Sequence, residues 1–284
     1  MEFIKGPARK GLRFMVKTLP LRGRQRLVDL VGPWIAPPIG EPLALNGMFL
    51  VLNHQVRQHR MIYYGLYEEG MMNFLSLHVR PGDVVMDPGA NVGYVTAYCL
   101  GLVGPGGHVH SFEPSPSANA HIRQSNKMGG HVNWTLWDLA LTDHEGTGTF
   151  YDTPRVMRVG YACLATAATP KDGIPFEVKL TTVDKFCAEQ GIQRVRFLKL
   201  DIEGSELRAL KGAARMLAGN AIDIIMVETA TYGTARPIAE KINTLLKDAG
   251  FRSHSMRRNG TLRPLDVMAM APCRKDVIWM RKDL

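Results

Sequence analysis

Cysteine is scarce in this chain, and its spacing excludes two classes of small protein. The 284 residues include only four cysteines, which lie far apart and form no CxxC pair. A zinc ribbon and a disulfide-stapled domain are therefore poor descriptions of it, and a reducing, cytoplasmic compartment fits best. The four positions are Cys99, Cys163, Cys187 and Cys273.

Long apolar runs are also missing. None reaches the roughly 18 residues that a membrane span needs, and a short candidate such as Ile222–Val227 contains Asp223. Apolar residues nevertheless make up 45% of the chain and charged residues 21%. These values are typical of a globular protein and argue against disorder or a coiled coil. The length allows one large domain or two small ones.

Positive charge is concentrated at the two ends of the chain. The formal net charge is +9, of which residues 1–35 contribute +6 and residues 250–284 contribute +5. The middle of the chain is therefore slightly acidic, at −2. A nucleic-acid enzyme with a basic catalytic body is not expected from this distribution, and we expect no nucleic-acid partner.

The basic N-terminus has the pattern of a short amphipathic helix. Leu12, Met15, Val16 and Leu19 recur with the period of a helix, and arginine and lysine occupy the positions between them. Two interpretations stay open. The helix either packs on the domain, or makes a peripheral contact with an anionic membrane through residues 5–26.

Strand-like and helix-like segments alternate from about residue 60 onward. Residues 60–78 read as one helix, and 146–151 and 176–180 read as strands that flank a long loop. The alternation predicts a doubly wound α/β domain with a mostly parallel sheet over residues 60–284. A basic arm, a proline-rich linker at 33–42 and a cap would form residues 1–59.

Acidic residues stand where several predicted strands end. Ligands of such sheets bind at the carboxyl ends of the strands, so a succession of carboxylates there predicts a polar site. The residues are Asp87, Glu113, Asp138, Asp201 and Glu228.

The first strand-to-helix turn lacks both common phosphate-binding fingerprints. It has neither the GxGxxG nor the GxxxxGK[ST] spacing; instead Asp87 precedes Gly89, Asn91 and Gly93. An acidic residue at this turn would repel the phosphates of a dinucleotide. It suits the cationic amino-acid end of S-adenosylmethionine.

Three further positions complete the predicted cofactor site. Glu113 ends the second strand, where a carboxylate can accept both ribose hydroxyls. Asp138, or the backbone beside it, would lie next to the adenine. Tyr67 and Glu68 precede the first strand and form either a wall over the cofactor or a core tyrosine with a surface glutamate.

Several segments resemble the FkbM-type S-adenosylmethionine-dependent methyltransferases. The resemblance implies a class I methyltransferase fold, Rossmann-like with a seven-stranded sheet, and O-methylation of hydroxyls on sugars or natural products. Two positions depart from the family pattern: Pro88 stands in the first turn, and Thr231 stands where a histidine is frequent after Glu228. The segments that carry the resemblance are Gly65–Glu68, Asp87–Gly93, Phe112–Pro114, Leu180–Asp184, Lys199–Glu206, Leu210–Ala213 and Val227–Glu228.

The catalytic end is predicted at the fourth strand. Lys199, Asp201 and Glu203 alternate along a strand that runs into a turn, so they share one face. We expect Asp201 to act as the base or to orient the acceptor, Lys199 to pair with a carboxylate, and Glu203 and Glu228 to lie at the rim. An aliphatic hydroxyl must lose a proton, which a positioned base accelerates.

Other roles for these side chains stay open. Lys199 and Glu203 could form a structural salt bridge, and Glu206 could cap the helix that follows. Mg²⁺ could bind Asp201 and Glu228 through oxygen, although no spacing requires it. His54 or His59 could supply the base from the N-terminal region.

Three functions compete on this evidence. The first is an O-methyltransferase for a sugar or glycan, a lipid-linked molecule or a natural product. The second is a nucleic-acid methyltransferase, which the basic ends favour slightly and the absence of an Asn/Asp-Pro-Pro-Tyr/Phe motif disfavours. The third is a non-catalytic, membrane-associated scaffold that binds the cofactor. We expect the acceptor pocket to include residues 43–66 and the loop at 153–175.

Overall fold

The computed structural model describes residues 2–18, 23–37, 41–126, 133–152, 162–164 and 173–284. Within these ranges the chain forms the α-helices and β-strands numbered below in chain order. The helices are α1 (Glu2–Thr18), α2 (Arg24–Ile35), α3 (Arg57–Tyr64), α4 (Glu69–His78), α5 (Tyr94–Val103), α6 (Pro116–Ser125), α7 (Val183–Glu189), α8 (Glu206–Lys211), α9 (Ala214–Ala218) and α10 (Arg236–Asp248). The strands are β1 (Pro42–Leu45), β2 (Met48–Val51), β3 (Val84–Pro88), β4 (His108–Phe112), β5 (Trp134–Trp137), β6 (Leu139–Leu141), β7 (Gly146–Asp152), β8 (Ala162–Leu164), β9 (Ile174–Thr181), β10 (Val195–Leu200), β11 (Ile222–Ala230), β12 (Phe251–Met256), β13 (Leu262–Pro264) and β14 (Arg274–Arg281).

The central sheet has the strand order β13-β12-β14-β11-β10-β3-β4-β5. The five strands from β11 to β5 run parallel, and β14 is antiparallel to both of its neighbours, β11 and β12. The predicted doubly wound, mostly parallel sheet is therefore confirmed. It has one strand more than the seven expected, because the short edge strand β13 folds back on β12.

Helices cover both faces of this sheet. Phe74 of α4 and Phe197 of β10 belong to the core on one face, and Phe186 of α7 and Trp279 of β14 belong to the core on the other. Strands β10 and β11 are consequently buried along most of their length. A strand that is buried on both faces needs a nearly continuous apolar sequence. Polar side chains are therefore found mainly at the ends of these strands.

The strands predicted at 146–151 and 176–180 are present but belong to a second sheet. Its order is β6-β9-β7-β8, and it encloses a small core that includes Phe150 and Val178. Strand β6 begins at Leu139, two residues after β5 ends at Trp137. The second sheet therefore starts at the carboxyl edge of the central sheet.

Two predicted boundaries are wrong. The helix expected over 60–78 is interrupted at Gly65, which ends α3 with a positive φ of 70°, and α4 begins after Glu68. The linker expected at 33–42 overlaps α2, which continues to Ile35 and tolerates a proline in its last turn. A β1–β2 hairpin follows, which the sequence analysis missed because its strands have only four residues each.

The N-terminal helices pack on the fold. Leu12 and Val16 of α1 and Val28 of α2 form a buried cluster with Met61 and Tyr64 of α3. The packing on the domain that the first interpretation requires is therefore present on one side of the basic amphipathic helix. Leu19 lies outside the described residues. No helix in the described ranges is long and apolar enough to cross a membrane.

Helix α2 offers a matched test of this packing. Val28 is fully buried, whereas Leu30, two positions later, is 73% exposed. We expect Val28→Asp to lower the free energy of unfolding by about 2 kcal/mol or more, because it buries an unpaired charge. Leu30→Asp should change it by less than about 0.5 kcal/mol. Urea unfolding followed by circular dichroism measures both, and equal effects would contradict the packing described.

Candidate active site

A cavity of about 430 Å³ opens at the carboxyl ends of the parallel strands. The strand ends β3, β4 and β10 form its floor, and Leu139 and Phe150 of the second sheet form part of one wall. Tyr67 and Glu68, in the connection between α3 and α4, also line it. The break in the predicted helix is thus what brings these two side chains to the site, as the first of their two interpretations required.

The turn after β3 approaches the backbone of β10 very closely. Gly89 has a positive φ of 75°, and a Cβ at this position would overlap the carbonyl oxygen of Asp201. The N–H groups of Gly89 and Ala90 donate to the carbonyl oxygen of Phe112 at 2.9 and 3.1 Å. Only glycine accepts both this conformation and this proximity, so the turn fixes one wall of the cavity next to Asp201.

Glu113 is 2% exposed and is held by the backbone. Its Oε2 accepts from the N–H of Asn91 at 2.8 Å, and its Oε1 accepts from the N–H of Ser115 at 2.9 Å. These bonds aim a carboxylate into the cavity from the end of β4. Glu113 therefore lines the cavity, and its contact with ribose hydroxyls stays a prediction.

The sequence analysis predicted that Asp87 contacts the cofactor directly. In the described part of the chain, however, Asp87 is not among the residues that line the cavity. It lies fully buried behind the turn, where Thr96 donates to its Oδ2 at 2.7 Å and Lys199 Nζ lies 3.7 Å from its Oδ1. Burial raises the pKa of Asp87, and Lys199 opposes that shift. Its influence on a cationic ligand would act through Lys199 and the turn.

Two observations show that the residues present suit S-adenosylmethionine. Asn91 Oδ1 is buried and has no hydrogen-bond partner among the described residues, so it is available to accept from an amino group. Gly89, with a positive φ, lines the cavity beside it; Gly93, which also has a positive φ, does not line the cavity in the described chain and lies against Met48 of β2. The cavity volume also falls within the range of small-molecule sites.

Lys199 connects the cofactor end of the cavity with the opposite end. Its ammonium lies 3.2 Å from Asp201 Oδ2 and is 4% exposed as a residue. Burial alone would lower the pKa of Lys199, but the carboxylates of Asp201, Asp87 and Glu68 outweigh burial and raise it. The predicted pairing of Lys199 with a carboxylate is confirmed, and Lys199 stays a cation that fixes the orientation of Asp201.

The sequence analysis considered a salt bridge between Lys199 and Glu203. The described part of the structure does not contain it, because Lys199 pairs with Asp201 and Asp87. Glu203 instead accepts from Arg274 Nη2 at 3.0 Å, and the same nitrogen donates to Glu228. Arg274 begins β14, whose antiparallel course brings it to the rim where β11 ends. Glu203 and Glu228, the two glutamates expected at the rim of the catalytic end, thus share one guanidinium, which offsets one of their two negative charges.

Glu206 was considered as a cap of the helix that follows, but its carboxylate binds the loop that precedes α8. Its Oε1 accepts from the N–H groups of Ile202 and Gly204, both at 3.1 Å. Burial raises the pKa of this carboxyl group. The loop held by Glu206 carries Glu203, which has a positive φ of 53°.

Asp276 is a site residue that the sequence analysis missed. It lines the cavity from β14, directly opposite Glu228 in the register of β11 and β14. Burial, together with the nearby carboxylates of Glu68 and Asp201, raises the pKa of Asp276 to about 7. The sequence did contain a hint of this position. Because a strand antiparallel to β11 starts at the rim where β11 ends, the polar residues just before Val277 could have been predicted to reach the site.

Asp138 lies next to the cavity rather than in its wall. It follows β5, accepts from Asn119 Nδ2 at 2.7 Å and from Arg123 at 2.6 Å, and its side chain is 67% exposed. The neighbouring residues Leu139–Leu141 do line the cavity. Of the two groups predicted to lie next to the adenine, the side chain of Asp138 and the backbone beside it, only the backbone segment lines the cavity within the described residues.

His54 and His59 do not line the cavity in the described ranges. His54 stacks edge-on against Tyr63, and burial lowers its pKa to about 4. His59 Nδ1 accepts from the N–H of Asn53 at 2.9 Å. Their surroundings do not support the role of base that was left open for them.

No group of three or more histidine, cysteine or acidic side chains is arranged to hold a metal ion within the described residues. Asp201 and Glu228, the two expected oxygen ligands of Mg²⁺, each have a cationic partner, Lys199 and Arg274. Of the expected acceptor pocket, Gln58 and Ile62 line the cavity, while 153–161 and 165–172 lie outside the described residues.

Two characterised methyltransferases are similar in sequence to this chain. The 31-O-demethyl-FK506 methyltransferase FkbM of Streptomyces tacrolimicus is 28% identical over 197 residues, which are 61% of this chain and 75% of that protein. The 2-O-methyltransferase NoeI of Sinorhizobium fredii (strain NBRC 101917 / NGR234) is 25% identical over 154 residues, 50% of this chain and 62% of that protein.

Among solved structures, a putative rRNA-methylase from Clostridium thermocellum matches 74% of this chain and 92% of its own, with 17% identity and a TM-score of 0.42. The sequence model of the methyltransferase FkbM domain matches residues 87–253, from the end of β3 into β12. That range includes the first turn, Glu113 and the Lys199–Glu206 segment. The chain therefore belongs to the FkbM methyltransferase family and is an S-adenosylmethionine-dependent methyltransferase with a class I fold.

Proposed function

We propose that this enzyme methylates a hydroxyl group of a sugar or glycan, a lipid-linked molecule or a natural product. The observation that carries the proposal is the group of carboxylates at one end of the cavity, Asp201 and Asp276 above all, beside the buried cation Lys199. Hydroxyl acceptors need a proton acceptor of this kind. The names of the two relatives, a 31-O-demethyl-FK506 methyltransferase and a 2-O-methyltransferase, support an oxygen acceptor.

The cofactor end of the cavity would hold S-adenosylmethionine, whose sulfonium supplies an electrophilic methyl group. Glu113 would accept the ribose hydroxyls, Asn91 Oδ1 would accept from the amino group, and the backbone beside Asp138 would face the adenine. Glu68 would form a wall of the site. Gly89 and Gly93, both with positive φ, would keep the turn in the conformation that places Asn91 at the cavity.

At the other end, Asp201 would orient the acceptor hydroxyl and Asp276 would take its proton. The side chain of Asp201 is held by Lys199, so its direction is fixed. Asp276 has a pKa of about 7, which suits proton uptake near neutral pH. Holding the hydroxyl oxygen about 3 Å from the methyl carbon and in line with it is the remaining requirement. S-adenosylmethionine would supply the methyl group and leave as S-adenosylhomocysteine, and the proton of the acceptor hydroxyl would pass to the Asp276 carboxylate.

The charge of the cavity disfavours a nucleic-acid acceptor. Six carboxylate residues line it against three cationic ones, which would repel a phosphate backbone. The six are Glu68, Glu113, Asp201, Glu203, Glu228 and Asp276, and the three are Lys199, Arg274 and Lys275.

The acceptor class can be tested with S-adenosylmethionine labelled in its methyl group. Glycosides, hydroxylated macrolides, hydroxylated lipids and RNA would be offered in parallel, and the product bond would be identified by mass spectrometry. We expect an ether on one of the first three classes. Transfer to RNA or to an amine would overturn the proposal, and cofactor binding without transfer to any acceptor would favour the scaffold alternative.

Gly89→Ala tests the turn of the cofactor site. A Cβ at this position overlaps the Asp201 carbonyl oxygen, so we expect binding of S-adenosylhomocysteine to weaken by about a hundredfold or more in calorimetric titration. Gly82→Ala is the matched control. Gly82 has a similarly positive φ of 92°, but a Cβ there meets no atom within 4 Å, and we expect unchanged binding.

Glu113→Ala and Glu206→Ala separate ligand binding from structural support. Both carboxylates are buried and each accepts two backbone N–H bonds. Only Glu113 faces the predicted ribose position, so its loss should weaken binding of S-adenosylhomocysteine about a hundredfold, against less than about tenfold for Glu206→Ala. Equal losses in the two variants would remove the ribose assignment.

Asp276→Asn tests the assignment of the base through the pH profile. Because the pKa of Asp276 is about 7, Asp276 is protonated below that pH, and the rate of methyl transfer should rise as pH increases through 7. In Asp276→Asn we expect a rate about 10²–10⁴-fold lower and no such rise. Asp201→Asn should lower the rate but keep the rise. If the rise disappears in Asp201→Asn instead, Asp201 is the base.

The raised pKa of Asp276 also predicts how the stability of the fold depends on pH. An aspartate whose pKa is raised in the folded state binds its proton more tightly there than in the unfolded chain. The folded protein therefore loses stability as pH rises from about 4 to 7, where the unfolded chain has already released that proton. Asp276→Asn should be more stable than the wild type at pH 8 by about 1 kcal/mol or more, and the difference should shrink toward pH 4. Thermal unfolding across this pH range measures it.

A further inference from the structure

Three large apolar side chains on α1 and α2 point away from the fold. Phe14, Leu30 and Trp34 are 69%, 73% and 76% exposed, the highest fractions among the large apolar residues of the described ranges. Phe14 lies midway between the buried Leu12 and Val16, so it occupies the opposite side of α1. Exposed apolar residues of this size on two helices that pack together indicate an interaction surface.

Cations accompany these apolar residues. Lys10 and Lys17 on α1 and Arg26 on α2 are exposed, and within the described chain none of the three has an ion-pair partner. The outward side of both helices therefore combines aromatic and aliphatic groups with unpaired positive charge. We call this surface, formed by Lys10, Phe14, Arg26, Leu30 and Trp34, the α1–α2 face; the side chain of Lys17 lies beside it, against Gly65.

The fold brings the second basic end of the chain to the same surface. Lys17 and Arg26 line a groove of about 1020 Å³ together with Arg257 and Arg258, which lie in the turn between β12 and β13. Glu69 holds this assembly together, because its carboxylate pairs with Arg24 at 2.7 Å and with Arg258 at 3.1 Å. The groove has five cationic residues against Glu68 and Glu69, so it retains a clear positive excess.

We propose that the α1–α2 face docks on the surface of an anionic lipid bilayer. Tryptophan, phenylalanine and leucine beside lysine and arginine are the side chains with which interfacial helices enter the headgroup region. Anionic headgroups complement the charge of the face and of the groove. A second copy of the chain is disfavoured as the partner, since two such faces would carry charge of the same sign.

The docking surface lies next to the active site. Glu68 lines both the basic groove and the active-site cavity. Docking would therefore place the cavity close to molecules carried by the membrane. The docking itself does not depend on which acceptor is methylated, and its test needs no methyl transfer.

The test is co-sedimentation of the full chain with vesicles. One vesicle preparation contains equal amounts of phosphatidylglycerol and phosphatidylcholine, and the other contains phosphatidylcholine alone. We expect the protein to pellet with the anionic vesicles, to bind the zwitterionic ones at least about tenfold more weakly, and to be released as salt is raised. Trp34 fluorescence should shift to the blue with the anionic vesicles, and this change should be absent in Trp34→Phe.

Variants separate the two contributions and control for folding. Phe14→Ser with Trp34→Ser, and Lys10→Glu with Arg26→Glu, should each weaken vesicle binding by about tenfold or more. Leu77→Ser with Ile174→Ser is the matched control, because both side chains are more than half exposed but lie on α4 and β9. It should bind like the wild type. Calorimetric titration with S-adenosylhomocysteine should be unchanged in all three variants, which shows that they fold.

Three outcomes would overturn the proposal. The wild type could fail to sediment with anionic vesicles. Binding could be equal for both vesicle types, which would remove the electrostatic argument. A dimer seen by analytical ultracentrifugation, lost in Phe14→Ser with Trp34→Ser and unaffected by vesicles, would make the face an interface between two copies.

Discussion

Lys199 is buried between two carboxylates at the junction of β3 and β10, and the arrangement of the site depends on it. The register of these strands places Lys199 beside Asp87, while Asp201 follows it on the same strand. A buried charge is costly unless it is paired, so the ammonium and its carboxylates stabilise one another only when both strands are in place. The pairing of β3 with β10 consequently positions both the glycine turn after β3 and the Asp201 side chain after β10.

Arg274 performs a comparable task at the rim. Parallel strands that end in acidic residues bring negative charges together, which repel one another. The antiparallel strand β14 starts at that rim and supplies a guanidinium that binds Glu203 and Glu228. Arg274 thus offsets one of the two negative charges at the rim. Asp201 and Asp276 also line the cavity, and Glu68 lines both the cavity and the basic groove.

The N-terminal helices show how one segment can both support the fold and face outward. Val16 and Val28 pack on α3, whereas Phe14 and Trp34 lie on the opposite sides of the same helices. Glu69 fixes the position of α2 relative to the β12–β13 turn by binding Arg24 and Arg258. The two basic ends, more than 200 residues apart, thus become parts of one surface.

The sequence by itself determined the parallel sheet, the glycine turn, the position of Glu113 at the end of its strand, and the pairing of Lys199 with a carboxylate. Each of these depends on residues that are close along the chain, where strand alternation and spacing dictate which side chains share a face. Only the tertiary structure decided that Arg274 and not Lys199 binds Glu203, that Asp276 enters the cavity, and that Asp87 lies behind its wall. Those outcomes depend on which strands are neighbours and in which direction they run. Side chains separated by tens of residues find their partners only through that topology, because sequence spacing carries no record of it.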